Sequence, residues 1–181
     1  MKKGVVILSL VFFLIACTAE KPAEQTKEQI QKIKMEVEIM KLTSNDFKQG
    51  GAIPKRFSCQ GENVNPHLAW ADVPAGTKSF ALICDDPDAP AGTWVHWLVK
   101  NIPANVKEIR QNSVLGEQVE NDFGKEDYGG PCPPSGTHRY FFRLYALDVE
   151  ELEADNKDDF YSQVEEHAIA KAELMGTYKK S

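Results

Sequence analysis

Apolar side chains recur along most of this chain at every second position, and the runs are short. Met35, Val37 and Ile39 alternate with Glu36 and Glu38, Leu68-Ala69-Trp70 is a brief apolar stretch, and Ile53 to Phe57 is another. Period-two alternation over a few residues predicts half-buried strands. Ser79 to Cys84 is nearly continuous in apolar residues, which predicts a strand covered on both faces. Trp94 to Val99 predicts the next strand, with Trp94, His96 and Leu98 on one face and Val95, Trp97 and Val99 on the other. The longest alternating run is 138–147: His138, Tyr140, Phe142, Leu144 and Ala146 share one face, Arg139, Phe141, Arg143, Tyr145 and Leu147 the other.

Turn chemistry separates these runs. Asn45 to Gly51, Val73 to Thr77, Asp85 to Pro90 and Asn101 to Ala104 hold the Gly, Pro, Asn and Asp residues that favour bends. Residues 105–128 are mostly polar, and a long loop with at most a short strand around Val114 is expected there. Glu150 to Asp159 is acidic and expected to be solvated. Phe160, Val164, His167, Ala168 and Lys171 then fall at helical spacing, predicting a helix over about 160–170 capped by Asp159. Glu173 to Tyr178 predicts a last short strand. The sum is a mainly β protein, an antiparallel β-sandwich with a short C-terminal helix, occupying residues 35–181.

The first 34 residues read differently. Lys2 and Lys3 precede an apolar run from Val5 to Ala16, and Leu14-Ile15-Ala16-Cys17 closes it with small residues before a cysteine. This is similar to a bacterial lipoprotein signal, with residues 1–16 removed and Cys17 carrying the lipid. Several acyl chains on one residue, at about 0.8 kcal/mol per buried CH₂, anchor a protein firmly to a bilayer. Thr18 to Lys34 is Glu, Gln and Lys with almost no large apolar side chain, and residues 17–34 are expected to be a solvated tether. The expected location is the bacterial cell envelope, lipid-anchored to the membrane and facing the periplasm or the exterior.

Charge narrows the partners. The 181 residues carry a net charge of −6 with a pI near 5.3, and without residues 1–16 the balance is −8. No basic cluster is available to neutralise a phosphate backbone, so nucleic acid is not an expected partner. In an oxidising compartment, Cys59, Cys84 and Cys132 allow one disulfide and one spare thiol, or none. Cys84 lies in an apolar run and is expected to be buried. Cys59 and Cys132 both lie in loops beside glycines; pairing is the expectation we carry, with two free thiols as the alternative.

Candidate chemistry gathers around 129–148, where a Gly-Pro loop runs into the longest strand. A histidine and a tyrosine at a strand start, beside glycines with bare N–H groups, make a mouth for a small anion. Further segments carry DPDAP at 86–90, WVHW at 94–97, GGPCPP at 129–134 and HRYFF at 138–142, joined by CQGENVNP at 59–66 and NDFG at 121–124. In this order, from about residue 35 to the end, they resemble the phosphatidylethanolamine-binding protein family, in its bacterial branch of Raf-kinase-inhibitor-like proteins. The resemblance implies Greek-key connections and a pocket for anionic groups such as phosphate, phosphorylated head groups or acetate. Carried across, that pocket comprises Asp86, Asp88, His96, Gly130, Pro133, His138 and Tyr140. The cysteine within Gly-Pro-Cys-Pro-Pro departs from the eukaryotic members.

Physical roles follow for these residues. The histidines titrate near neutrality, about pH 6.5 for a free side chain, and can donate to an anion. Asp86 is the candidate to fix a ring tautomer, Tyr140 a neutral O–H donor, Gly130 a backbone N–H donor and Pro133 a rigid wall. The expected function is a membrane-anchored binding protein with a small anion pocket, regulating a partner protein at the cell envelope. An enzyme is the alternative, with Cys132 and His138 as nucleophile and base or with the His/Asp cluster. The histidines lack the local spacing of a zinc site, and no G-x-S-x-G occurs. Neither a metal nor a cofactor is expected. A protein-interaction module needs an exposed apolar rim, for which Trp94 and Tyr128 are candidates.

Overall fold

A computed structural model of the protein describes residues 40–180. The predicted signal, the lipidation site Cys17, the tether and the strand at Met35 to Ile39 lie outside the described residues. Eight strands, one α-helix and one 3₁₀ turn follow in the order β1 (Lys41–Thr43), 3₁₀ (Lys55–Phe57), β2 (Leu68–Ala71), β3 (Ser79–Asp86), β4 (Trp94–Pro103), β5 (Glu108–Ile109), β6 (Glu117–Val119), β7 (Thr137–Leu147), α1 (Lys157–His167) and β8 (Ala168–Lys179). They form two antiparallel sheets, β1-β2-β5 and β6-β4-β3-β7-β8. The protein is therefore mainly β with one short helix.

All eight residues of β3 are buried, because the strand lies at the centre of the larger sheet and is covered on both sides. On the inner side Phe80, Leu82 and Cys84 pack with Phe142, Leu144 and, from the smaller sheet, Leu42, Leu68 and Trp70. On the outer side Ala81 and Ile83 pack with Leu98, Leu152, Phe160 and Val164. Each fully buried large apolar side chain contributes roughly 1.5–3 kcal/mol by leaving water. Strand β3 is thus the shared wall of two cores.

Strand β4 departs from simple alternation. Leu82 pairs with Val99 and Cys84 with Trp97, but Asp85 pairs with Val95, so His96 is an extra residue opposite no partner. Such a β-bulge turns consecutive side chains to one face. Trp97 and Val99 face the inner core, whereas Val95 and Leu98 face the helix. The expected grouping of Leu98 with His96, and of Val95 with Trp97, is corrected by this one extra residue.

Other expectations are corrected at the edges. The 105–128 region contains two short strands, β5 and β6, while Val114 sits outside them and exposed. The apolar segment 53–57 ends in the 3₁₀ turn Lys55–Phe57 and contains no strand. The acidic stretch 150–159 is not wholly solvated, because Leu152 and Ala154 are buried against the outer core. Helix α1 begins earlier than predicted: Asn156 is its cap, accepting from the Asp159 N–H at 3.0 Å, and Asp159 returns an acceptor to the Asn156 amide at 2.5 Å. Asn and Asp both suit caps, and the pair is reciprocal. The final strand is 12 residues long and starts directly after α1.

Phe160 is the deepest helical residue in the outer core, fully buried. Phe160→Ala should cost about 3–5 kcal/mol of stability. Urea unfolding should show a lower midpoint with an unchanged slope; a loss under about 1 kcal/mol would mean that the helix is peripheral.

Candidate functional site

At one end of the larger sheet, β3 turns into 87–93, β4 begins, and β7 emerges from the Gly-Pro loop. Asp86 is the last residue of β3, and its side chain continues the inner row of Phe80, Leu82 and Cys84. Both of its oxygens are occupied. Oδ1 accepts the Asp88 N–H at 2.9 Å, and Oδ2 lies 2.7 Å from His138 Nδ1. A carboxylate only accepts, so His138 carries a hydrogen on Nδ1 and turns Nε2 away from Asp86. Asp86 and His138 are both buried.

The bulge brings His96 to the same place. Its Nδ1 lies 2.6 Å from the Gly129 carbonyl, and the Gly129 N–H donates back to the His96 carbonyl at 3.0 Å. Asn121, itself buried, donates its amide to the same His96 carbonyl at 3.1 Å. The carbonyl of Gly129 can only accept, so His96 also carries its hydrogen on Nδ1 in the neutral state. Burial lowers the His96 pKa from its ordinary 6.5, with the opposing influence of the Gly129 carbonyl and the Asp86 charge insufficient to restore it. The ring is edge-on to Tyr140 and to Phe123, with centroids 5.2 Å apart in each case.

Asp86, His96, Trp94, Phe123, Cys132 and Pro133 are among the residues that line a cavity of about 210 Å³. That is smaller than the roughly 300–1,000 Å³ of sites for drug-sized molecules and suits a small group. No lysine or arginine lines it. Two buried donors at this end of the sheet, the Tyr140 hydroxyl and the Trp94 indole N–H, have no hydrogen-bond partner among the described residues. The Asp86 carboxylate and the Cys132 backbone are near enough to act on Tyr140, but neither meets hydrogen-bond geometry; burial first, then Asp86, drives its pKa strongly upward. An unpaired buried donor costs about 1–3 kcal/mol. Trp94 lines the cavity, whereas Tyr140 and His138 are not among its lining residues and adjoin it through the His96 ring and the Asp86 carboxylate respectively.

The remaining predicted residues have other engagements. Asp88 is taken by Arg139, which reaches it from the backbone N–H and from Nε, both at 2.9 Å, and from Nη2 at 2.6 Å. Those bonds hold the Asp88 carboxyl at about pKa 2. Gly130 donates its N–H to Asn63 Oδ1 at 2.8 Å, so the expected role of that N–H as a donor to a ligand is corrected. Its lack of a side chain matters instead: a Cβ would stand 2.3 Å from the Phe57 carbonyl oxygen. Cys59 and Cys132 are bonded to each other, with Cα atoms 5.4 Å apart, and the Cys59 N–H donates to the Pro131 carbonyl at 3.1 Å. Together these contacts clamp loop 129–134 onto loop 57–63. The Cys84 thiol is free and buried.

Tyr128, a rim candidate, is buried and donates to the Phe57 carbonyl at 3.0 Å. The exposed aromatic at the mouth is Phe123, edge-on to Trp94 with centroids 5.5 Å apart. Phe123 and the positioning roles of Asn121 and Arg139 were missed from the sequence. Their signals were slight: NDFG marks a turn, and Arg139 differs from any strand arginine only by following His138.

Comparisons with known proteins agree with this architecture. The family model described as phosphatidylethanolamine-binding protein matches residues 43–179. A UPF0098 protein from Aquifex aeolicus is 45% identical over 153 residues, covering 78% of this chain and 90% of that one. A UPF0098 protein from Methanothermobacter thermautotrophicus is 46% identical, covering 78% and 99%. Among solved structures, a phosphatidylethanolamine-binding protein homologue from Chlamydia trachomatis superposes with a TM-score of 0.75 at 41% identity, covering 80% of this chain and 99% of that one. Escherichia coli YbcL, described as a new member of the mammalian PEBP family, gives 0.74 at 34% identity, covering 78% and 99%.

Because its folded-state pKa is lowered, His96 favours folding when neutral. The unfolded chain binds the proton first as pH falls below about 6.5, so this contribution is lost on acidification. The His96 ring protons should titrate with a midpoint below 6.5 in ligand-free protein; a midpoint at or above 6.5 would contradict the burial argument.

Proposed function

The chain belongs to the phosphatidylethanolamine-binding protein family, and from that premise we propose that it is a binding protein whose cavity beside His96, His138 and Asp86 takes a small anion. The observation that carries this reading is the orphaned buried N–H of Trp94, which lines the cavity together with His96, with the unpaired Tyr140 hydroxyl on the ring packed edge-on to His96. A phosphate or a phosphorylated head group supplies the missing acceptors. Pro133 stiffens the wall, and the Asp88–Arg139 pair holds the turn after β3 against the start of β7.

The lipoprotein signal read in residues 1–17 supports a membrane anchor in the cell envelope, with the pocket presented on a tether. Regulation of a partner protein through an anionic group in the pocket is the corresponding biological role. Catalysis is less well supported. The Cys132 sulfur is bonded to Cys59, so it is not available as a nucleophile for His138 to activate. The cavity otherwise offers imidazole and carboxylate without a serine or a free thiol.

Anion binding recruits protons to the imidazoles. Affinity for inorganic phosphate should therefore fall as pH rises through the His96 titration, which burial places below the ordinary 6.5. Phosphate titration followed by NMR should move the ring resonances of His96 and His138, and His138→Ala should weaken binding at least about tenfold. Unmoved rings at every pH would remove the pocket from the account.

A further inference from the structure

We propose that a different concavity, where β6 meets the loops around Asn63 and Ser113, is a binding site for a neutral polyhydroxy ligand, a pyranose unit of a glycan. It shares no lining residue with the small cavity beside His96, so it is independent of the anion-pocket reading.

Two side-chain amides of fixed orientation carry the argument. Gln118 on β6 accepts the Trp97 indole N–H on Oε1 at 2.6 Å, and Asn63 accepts the Gly130 backbone N–H on Oδ1 at 2.8 Å. Both partners are donors only, so the atom that faces each is the amide oxygen. The NH₂ group of each amide is left without a protein partner among the described residues. Both amides line one cavity of about 290 Å³, together with the Asp127 carboxylate, which is likewise unpaired among the described residues. A glutamine ordinarily gives up rotamer freedom when it engages a ligand, and the indole has already taken that freedom from Gln118. The opposite wall is pinned as well. Asn65, buried, donates to the Arg110 carbonyl at 2.9 Å and accepts the Ser113 N–H at 3.0 Å, which ties the two loops together.

The chemistry of this lining selects the ligand. Asp127 is its only charged side chain, and a lone carboxylate disfavours anions. The two amides call for acceptors and the carboxylate for donors. A hydroxyl answers both with one atom, accepting from an amide N–H while donating to a carboxylate oxygen. Several hydroxyls on one ring can do so at once. A bare ammonium would satisfy the carboxylate and leave both amides unanswered. Val64, Val114 and Tyr128 supply apolar lining for the C–H face of a sugar ring. A further concavity of about 270 Å³ shares Asn63, Asp127 and Tyr128 with the first and includes the exposed ring of Phe123. The pair gives room for more than one ring.

The test follows side-chain N–H resonances of the purified, ¹⁵N-labelled full-length protein. The probes are maltose, cellobiose and N,N′-diacetylchitobiose, with acetyl-Ala-Lys-Ala-amide as a cationic peptide. At least one disaccharide should shift the NH₂ resonances of Gln118 and Asn63 and the Trp97 indole N–H saturably, with a Kd of about 1 mM or tighter. Gln118→Glu and Asn63→Asp each keep the oxygen that receives its fixed N–H and remove the NH₂ donor. Aspartate also tolerates the left-handed backbone at Asn63, where φ is 56°. Each variant should stay folded and bind the disaccharide at least about tenfold more weakly, whereas its added negative charge would tighten a cationic peptide. Asp127→Ala, at an exposed position, should weaken the disaccharide by a similar factor. No saturable shift with any of the three disaccharides would overturn the proposal. So would shifts confined to residues outside this lining, a disaccharide bound equally well by the variants, or a site that takes only the peptide.

Discussion

A single extra residue in β4 decides which side chains meet at the end of this sandwich. Opposite Cys84 and Asp85 the strand carries His96 out of register, and Trp94 and His96 turn to the face already occupied by Trp97 and Val99. Without the bulge, strict alternation would leave Trp97 and His96 on opposite faces. The cost is a disrupted ladder, and the structure offsets it locally. The bulged carbonyl receives the Gly129 N–H and the Asn121 amide, and the imidazole returns a hydrogen bond to Gly129. The interrupted ladder and the candidate site are thus held by the same few atoms.

The supporting shell explains why loops can hold the site. Gly130 has to be glycine because the Phe57 carbonyl and Asn63 lie where a side chain would go. A disulfide and the Cys59–Pro131 hydrogen bond join the same two loops. On the other side Asp86 receives both the Asp88 N–H and the His138 ring, so the turn after β3 and the start of β7 share one carboxylate. Loops tied at several points lose little additional entropy when a ligand arrives, which favours a preorganised pocket.

Much of the fold was legible because burial on two faces, alternation and turn residues are local signals. The run at 79–84, the alternation at 138–147 and the punctuation by Asp-Pro and Gly-Pro all correspond to β3, β7 and their loops. The bulge was not legible, since an inserted residue leaves no mark in an apolar pattern that has no partner strand to be counted against. The early start of α1 was missed because two adjacent cap-forming residues compete, and only the coordinates show that Asn156 receives the hydrogen bond. Of the site, the residue identities came from the motifs. The division of labour among them required geometry: Asp88 is occupied by Arg139, Gly130 is a point of close approach, and Phe123 shapes the mouth.

What the two histidines can recognise depends on which nitrogen bears the hydrogen. Long-range ¹H–¹⁵N correlation of the imidazoles in ligand-free protein reads this directly. The account predicts that Nδ1 is protonated in both His96 and His138, and that Nε2 of neutral His96 is the pyridine-type nitrogen. A neutral His96 carrying its hydrogen on Nε2, or a His138 whose Nδ1 is bare, would contradict it.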